Sequence, residues 1–134
     1  MQDSVEKGPR QSAEFMAALA AKPIAAVYPV ATEASTTERG GRIIATSHTF
    51  LQDQRFALVG DTVRYADGSE ARIVSGAGVA SIIEGRPIAL VGSELDNGDR
   101  ITGPLHNDAM IIQYADEPPI EGLLDPFFFP SADH

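Results

Sequence analysis

The sequence predicts a mainly β domain in which three related units surround a pseudo-three-fold axis. The apolar segment RPIALVG at 86–92 is repeated 32 residues earlier as RFALVG at 55–60, and a fainter copy, KPIAAVY, stands at 22–28. Each copy is short, apolar and bounded by turn residues, which is typical of a β-strand. Units this small cannot bury an apolar face alone, whereas three of them closed around an axis can.

A second shared signal supports the repeat. An Arg-Ile pair follows each apolar copy after a polar loop, at residues 42–43, 72–73 and 100–101. The loops contain Asp67-Gly68 and Asn97-Gly98, which favour tight turns because glycine accepts a positive φ. We therefore predict one repeat domain over residues 24–114.

Two segments flank this domain. Residues 1–23 are a polar extension in which Ser12 caps a short helix through residues 12–22, and Pro23 ends it. Residues 115–134 are an irregular tail rich in proline and phenylalanine. Three consecutive aromatic side chains are too apolar for a free tail, so we expect them to dock on this domain or on a partner. They are Phe127, Phe128 and Phe129.

Composition argues against several classes of partner. The net charge of −9 is unfavourable for binding nucleic acid or an anionic membrane surface, because both require clustered Lys and Arg. The chain has no cysteine, so we expect neither a disulfide nor thiolate chemistry. The N-terminal residues lack the pattern of a cleaved signal peptide, and no apolar segment is long enough for a membrane anchor.

No catalytic motif is apparent. The sequence lacks the nucleophile elbow, the zinc-protease helix and the phosphate-binding loop. We interpret His48 and His106 as surface histidines, and His134 is the last residue. Four acidic loop residues lack the spacing of a calcium-binding loop. They are Asp67, Glu70, Asp96 and Asp99.

Residues 36–105 resemble a PAAR-repeat protein, a family named for proline, alanine, alanine and arginine. In that family a Gly-Gly pair, an extended stretch, an Asn-Gly turn and a Pro-x-Ala-x-x-Gly-Asp strand follow in order and then recur. The order and spacing of the matching pieces carry the resemblance. The pieces are Gly40-Gly41, FALVGD at 56–61, Gly76, GRPIALVG at 85–92 and Gly98-Asp99.

The resemblance implies a small cone-shaped β domain without catalytic activity, which forms the spike tip of a bacterial type VI secretion system or a related injection machine. The base of the cone would sit on a trimeric VgrG-type spike protein, one copy per trimer, because three internal copies match three identical chains. The cone would sharpen the spike and link an effector. The chain alone would be a monomer, present in the bacterial cytoplasm and then delivered to a target cell without a signal peptide.

Many members of the resembled family hold a metal near the apex with histidine and cysteine. The matching positions here carry neither residue, so a tetrahedral zinc site cannot be built from them. We therefore expect no metal cofactor and an apex tied by hydrogen bonds. The apex candidates are Arg39, Tyr65, Asp67 and Asn97.

The resemblance places the turns at 52–54 and 84–86 toward the base. Apolar residues beside these turns suit the core of a protein interface, so Leu51 and Ile83, together with Arg86, are our candidates for the spike-binding surface. The three tail phenylalanines are candidates for docking an effector, its chaperone or another partner.

Two alternatives stay open. The chain could be a small effector or toxin-associated protein, although its flanking segments are too short for a toxin domain. It could also be a free-standing β-rich ligand-binding module, although it has no tryptophan and three tyrosines to line a pocket.

Overall fold

A computed structural model describes residues 22–106 and 108–130 of the chain. The helix predicted through residues 12–22 lies outside the described residues except at its last position. The described part is mainly β, as the sequence predicted, with a 3₁₀ turn at Gly78–Ala80. The strands are β1 (Ile24–Pro29), β2 (Thr36–Thr37), β3 (Arg42–Ile44), β4 (Phe50–Leu51), β5 (Gln54–Arg55), β6 (Thr62–Arg64), β7 (Glu70–Arg72), β8 (Ile82–Ile83), β9 (Arg86–Pro87), β10 (Ile101–Gly103) and β11 (Met110–Tyr114).

The three repeats meet in a closed ring of backbone hydrogen bonds. The N–H of Ala31 donates to the carbonyl of Ala89 at 2.9 Å, that of Ala89 donates to Ala57 at 2.8 Å, and that of Ala57 donates back to Ala31 at 3.0 Å. All three alanines are fully buried. Their small side chains let three backbones approach one another closely. The pseudo-three-fold arrangement predicted from the sequence is therefore confirmed.

The first repeat begins later than the sequence suggested. Its ring residue is Ala31, in the segment PVAT at 29–32, so the assignment of KPIAAVY at 22–28 as the first copy was wrong. Most of that segment lies in β1, which pairs antiparallel with β11. The spacing of 32 residues holds only between Ala57 and Ala89, because the first repeat is shorter than the second both before and after its Arg-Ile pair.

Each ring segment ends in the same capped turn. The carbonyl of the first turn residue accepts a hydrogen bond from the N–H three residues later. The side chain of that later residue accepts one from the N–H of the first residue, at 2.8–2.9 Å. The capping side chains are buried, and they set the direction in which each chain leaves the ring. The pairs are Thr32 with Ser35, Leu58 with Asp61 and Leu90 with Ser93.

Beyond the capped turns the chain enters a sheet of short antiparallel strands. Their order is β10-β2-β3-β6-β7, and Val63 of β6 lies opposite Ile43 on one side and Ala71 on the other. A bridge between Ile73 and Leu95 carries the pairing into the third repeat. The isoleucines of the three Arg-Ile signals are buried in the core with the ring alanines. They are Ile43, Ile73 and Ile101.

Three two-stranded ribbons, β4–β5, β8–β9 and β1–β11, lead into the three ring segments. The first two are hairpins. Their turns, Gln52-Asp53 and Glu84-Gly85, hold both central residues at positive φ, which matches the twist of paired strands. The third ribbon joins the two ends of the repeat region, and Tyr28 pairs there with Ile111.

The tail packs on its own domain as a strap. Gly76 forms a parallel bridge with Leu123, and the N–H of Leu124 donates to the carbonyl of Gly76 at 2.7 Å. Leu123 and Leu124 cover the second buried apolar cluster. Gly78 permits the close approach, because a Cβ there would overlap the carbonyl oxygen of Glu121. The core of that cluster is Val30, Leu58, Ala77, Ile88 and Leu90.

Candidate functional site

Three turns, at 37–40, 65–68 and 95–98, bring the predicted apex residues together; we call them the tip turns. In each, the carbonyl of the first residue accepts a hydrogen bond from the N–H of the glycine at the fourth position. The three glycines have φ values from +78° to +87°, which residues with a Cβ adopt only under strain. The four apex candidates line one concave surface between the turns: Arg39, Tyr65, Asp67 and Asn97.

Hydrogen bonds join three of the four apex candidates. Nδ2 of Asn97 donates to the Tyr65 hydroxyl at 3.0 Å, and Nη1 of Arg39 donates to the Asn97 carbonyl at 3.1 Å. Asp67 lies on the same surface but bonds elsewhere. Its Oδ1 accepts from the N–H and the hydroxyl of Ser69, at 2.9 Å and 2.6 Å. The hydrogen bonds among the apex candidates therefore leave out Asp67.

Asp99 holds the central place in the network. Its side chain is buried between the tip turns. Oδ1 accepts from the backbone N–H groups of Arg39 and Arg100, at 3.1 Å and 2.7 Å. Oδ2 accepts from the Tyr65 hydroxyl at 2.6 Å. The sequence analysis considered Asp99 only as one of four acidic loop residues and did not foresee this contact.

A signal for Asp99 was present in the repeat. Asp99 directly precedes the third Arg-Ile pair, and the corresponding residues of the first two repeats are Gly41 and Ala71. A carboxylate at a position otherwise held by the two smallest residues indicates a position close to the axis. The sequence analysis compared the acidic loop residues only with a calcium-binding loop and did not use this signal.

The tip network shifts two pKa values in a consistent way. Burial raises the pKa of Asp99, but hydrogen bonds from Thr37, Tyr65 and two backbone N–H groups outweigh it, so the pKa lies below its ordinary value. Burial, and then the hydrogen bond to Asp99, raises the pKa of the Tyr65 hydroxyl. Near neutral pH Asp99 is therefore ionised and Tyr65 protonated, as their hydrogen bond requires.

The tip residues do not fit a transition metal. Within residues 22–106 and 108–130, no group of three or more carboxylate or imidazole side chains comes together. At the tip, Arg39 contributes a cation and the Tyr65 hydroxyl donates a hydrogen bond to Asp99. Borderline-soft metals prefer thiolate and imidazole ligands, and the concave surface presents neither.

The ribbons bring the predicted base residues into pseudo-three-fold positions. Leu51 and Ile83 each lie on the first strand of a hairpin, directly before its turn, and both are half-buried. Ile111 occupies the corresponding position in the β1–β11 ribbon and is also half-buried. Beside them, Phe50 and Met110 are exposed. The sequence analysis missed Ile111 because it assigned β1 to the first repeat copy.

Arg86 makes contacts inside the domain that the sequence analysis did not foresee. Its Nη1 lies 3.1 Å from Oδ1 of Asp61, whose side chain is fully buried. Its Nη2 donates to the Thr46 hydroxyl at 2.7 Å. Arg86 thus neutralises the one charged residue among the three turn caps, and this contact joins the second and third repeats.

The three tail phenylalanines have different environments. Phe128 is half-buried, with its ring against Gly122, and it lines a shallow cavity together with Val59 and Ile73. Phe127 and Phe129 are exposed over 84% and 82% of their surfaces. We expected the three rings to dock either on this domain or on a partner. The strap and Phe128 dock on this domain, whereas the rings of Phe127 and Phe129 remain exposed to solvent.

The histidines do not assemble a site. Nε2 of His106 lies 2.8 Å from the carbonyl oxygen of Val30, so this residue is half-buried rather than on the surface as expected. His48 is exposed, and its backbone N–H donates to the Glu84 carboxylate at 2.9 Å. His134 lies outside the described residues.

Three internal repeats closed about one axis, with convergent turns and three ribbons, define a small β protein with built-in three-fold pseudo-symmetry. The family model described as the PAAR motif matches residues 33–103, more than half of the chain. The protein therefore belongs to the PAAR-motif family, a structural spike-tip family of type VI secretion systems that is not known for catalysis. No curated protein and no solved structure matches the chain.

The match begins at Glu33 and ends at Gly103, so it contains the three tip turns and the two hairpin ribbons. It leaves out β1, β11 and the tail strap, which lie beyond its ends. None of the helices in the described part of the chain is long and apolar enough to cross a membrane.

Proposed function

We propose that this protein is the non-catalytic tip of a type VI secretion spike, or of a related contractile-injection spike, and that it caps a trimeric VgrG-type protein. One copy sits on one trimer, with the tip turns directed away from it. The closed hydrogen-bond ring of Ala31, Ala57 and Ala89 carries this proposal, because a chain with internal three-fold symmetry can make equivalent contacts with three identical subunits.

The three ribbons are the parts of the domain that we expect to face the trimer. Leu51, Ile83 and Ile111 occupy equivalent positions, so each can meet the same surface of a different subunit. Exposed Phe50 and Met110 add apolar area beside them. An apolar centre surrounded by polar turns is the usual composition of a stable protein interface.

Cargo attachment is a second part of the proposal. Exposed Phe127 and Phe129 flank the packed Phe128, and two rings held by an anchored strap lose little conformational entropy on binding. We expect this aromatic pair to contact an effector or its chaperone. The surface between the tip turns is lined mainly by polar groups that bond to one another, which does not favour the alternative of a small-molecule module.

The proposed role needs no chemical step and no metal cofactor. It requires a folded domain that stays in the bacterial cytoplasm until the spike fires and then travels with the spike into the target cell. Such a role would depend on a stable tip and on a base that is complementary to the surface of the trimer.

The test is co-purification with a trimeric spike protein, followed by measurement of the mass of the complex by light scattering. We expect one chain per trimer. Leu51→Asp, Ile83→Asp and Ile111→Asp should each lose binding at least tenfold, because an unpaired ion in an interface core is costly. Asp67→Ala, at the tip, is the matched control and should bind as wild type. Circular dichroism verifies that each variant is folded.

The outcomes separate the parts of the proposal. If wild-type protein forms no complex with any trimeric spike protein, the function is wrong. If the folded ribbon variants bind normally and Asp67→Ala does not, the domain binds the trimer in the opposite orientation, through its tip turns. If all four variants bind normally, the spike contacts another face.

A further inference from the structure

One buried residue, Asp99, bonds to all three tip turns: its carboxylate to the first and second, and its backbone N–H to the third. Oδ1 of Asp99 accepts from the N–H of Arg39 in the first turn, and Oδ2 accepts from the hydroxyl of Tyr65 in the second. The N–H of Asp99 donates to Oδ1 of Asn97 in its own turn, at 3.0 Å. The N–H of Arg100 also donates to Oδ1, at 2.7 Å. The carboxylate therefore accepts from three donors, the N–H groups of Arg39 and Arg100 and the Tyr65 hydroxyl, at 2.6–3.1 Å.

Of the three repeats, the third alone supplies a polar side chain at this position. At the equivalent position of the first repeat, a Cβ on Gly41 would overlap the side chains of Val63 and Tyr65. The second repeat has Ala71, which is buried against the core. Asp99 is therefore the one polar side chain that the three repeats place at this position.

The energetics favour this arrangement only because the carboxylate is fully bonded. Burying an ionised group without partners is strongly unfavourable, whereas charge-assisted hydrogen bonds are short and about twice as strong as neutral ones. Within the described residues, no buried side-chain nitrogen or oxygen lacks a hydrogen-bond partner. Removing the carboxylate would leave the hydroxyl of Tyr65 and two backbone N–H groups without an acceptor.

We propose that Asp99 is the internal cross-link of the tip: its carboxylate joins the first and second tip turns to the end of the third, so that the tip of this protein closes without a metal ion. This role does not depend on the proposed function, because it concerns the isolated chain. It differs from the metal cross-link implied by the family resemblance, whose ligands the tip residues do not provide.

The test uses the purified full-length chain. Elemental analysis and thermal unfolding with and without EDTA measure dependence on metal. Asp99→Asn keeps the shape and removes the charge, Asp99→Ala copies Ala71 of the second repeat, and Tyr65→Phe removes one donor. Asp67→Asn is the matched control, because Asp67 is a tip carboxylate whose hydrogen bonds go to the nearby Ser69 of its own repeat. Amide hydrogen exchange at Arg39 and Arg100 reports the contact directly.

We expect EDTA to leave the Tm unchanged and Asp99→Asn to lower it by roughly 5–10 °C, against about 2 °C or less for Asp67→Asn. Exchange at Arg39 should accelerate at least tenfold in the Asp99 variants, and not in the control. If both Asp99 variants fail to fold, Tyr65→Phe becomes the test: the proposal requires a lower Tm for this variant than for wild type, and an unchanged Tm would contradict it. Bound metal whose removal lowers the Tm, or equal effects of Asp99→Asn and Asp67→Asn, would overturn the proposal.

Discussion

The guanidinium of Arg86 lies 3.1 Å from the carboxylate of Asp61 and joins the third repeat to the second. Asp61 caps its turn through the N–H of Leu58, as Ser35 and Ser93 cap the equivalent turns. A serine needs no counter-charge, whereas a fully buried carboxylate does. Arg86 thus compensates for a residue that departs from the symmetry of the repeats.

Arg86→Gln should destabilise the domain. The change leaves the buried Asp61 carboxylate without its cation, and we expect a loss of about 2 kcal/mol in the free energy of unfolding, reduced by the partial exposure of Arg86. Urea denaturation measures it. The double variant Asp61→Ser with Arg86→Gln, which copies the caps of the other repeats, should recover part of the loss. If the double variant recovers no stability, Arg86 stabilises the domain through its hydrogen bond to Thr46 instead.

Gly78→Ala should loosen the tail strap. The new Cβ would overlap the carbonyl of Glu121, and the strap would have to move away from the domain. Gly85→Ala is a suitable control, because Gly85 also has a positive φ but has open space around it. We expect about 1 kcal/mol of destabilisation for the control and roughly 2 kcal/mol more for Gly78→Ala. Chymotrypsin cleavage at 127–129 should accelerate only in Gly78→Ala.

The repeats could be predicted from the sequence because two of them share a clear apolar pattern around Ala57 and Ala89. The first could not, since KPIAAVY at 22–28 has the same local pattern as a ring segment. What places Ala31 in the ring is a pair of hydrogen bonds to the other two repeats, and local pattern does not carry this information.

The apex residues were found because turn glycines mark their positions. Asp99 and the Asp61–Arg86 pair were missed because charged residues are usually exposed, and both carboxylates are buried. Their partners come from other repeats, so only the folded chain reveals them. The tip surface was thus predictable in its outline, and its central group was not.

The isolated protein should be a monomer of 14.2 kDa. Its own three repeats complete the ring, so that no second copy is needed to satisfy the backbone of Ala31, Ala57 or Ala89. Light scattering coupled to size exclusion measures the mass over a range of concentrations. A stable homotrimer would contradict the inference that internal repeats replace self-association.

Acid should weaken the tip through Asp99. The carboxyl faces the hydroxyls of Thr37 and Tyr65 and the N–H groups of Arg39 and Arg100, and its pKa in the folded protein lies below the unfolded value of about 3.9. Protons therefore bind the unfolded state more tightly. The contribution of the charged form to stability is fully present above about pH 5 and is lost as pH falls through the folded pKa.

The measurement is the difference in free energy of unfolding between wild type and Asp99→Asn across a pH series. We expect a constant difference from about pH 5 to 8 that narrows steadily below about pH 4, because the variant has no proton to bind at this position. The same series on Asp67→Asn is the control for a carboxylate on the surface of the tip. The pKa of Asp67 is lowered chiefly by the hydroxyl and N–H of exposed Ser69, so its titration does not involve the interior of the tip. A difference for Asp99→Asn that stays flat down to pH 3 would show that its charge does not hold the tip turns together.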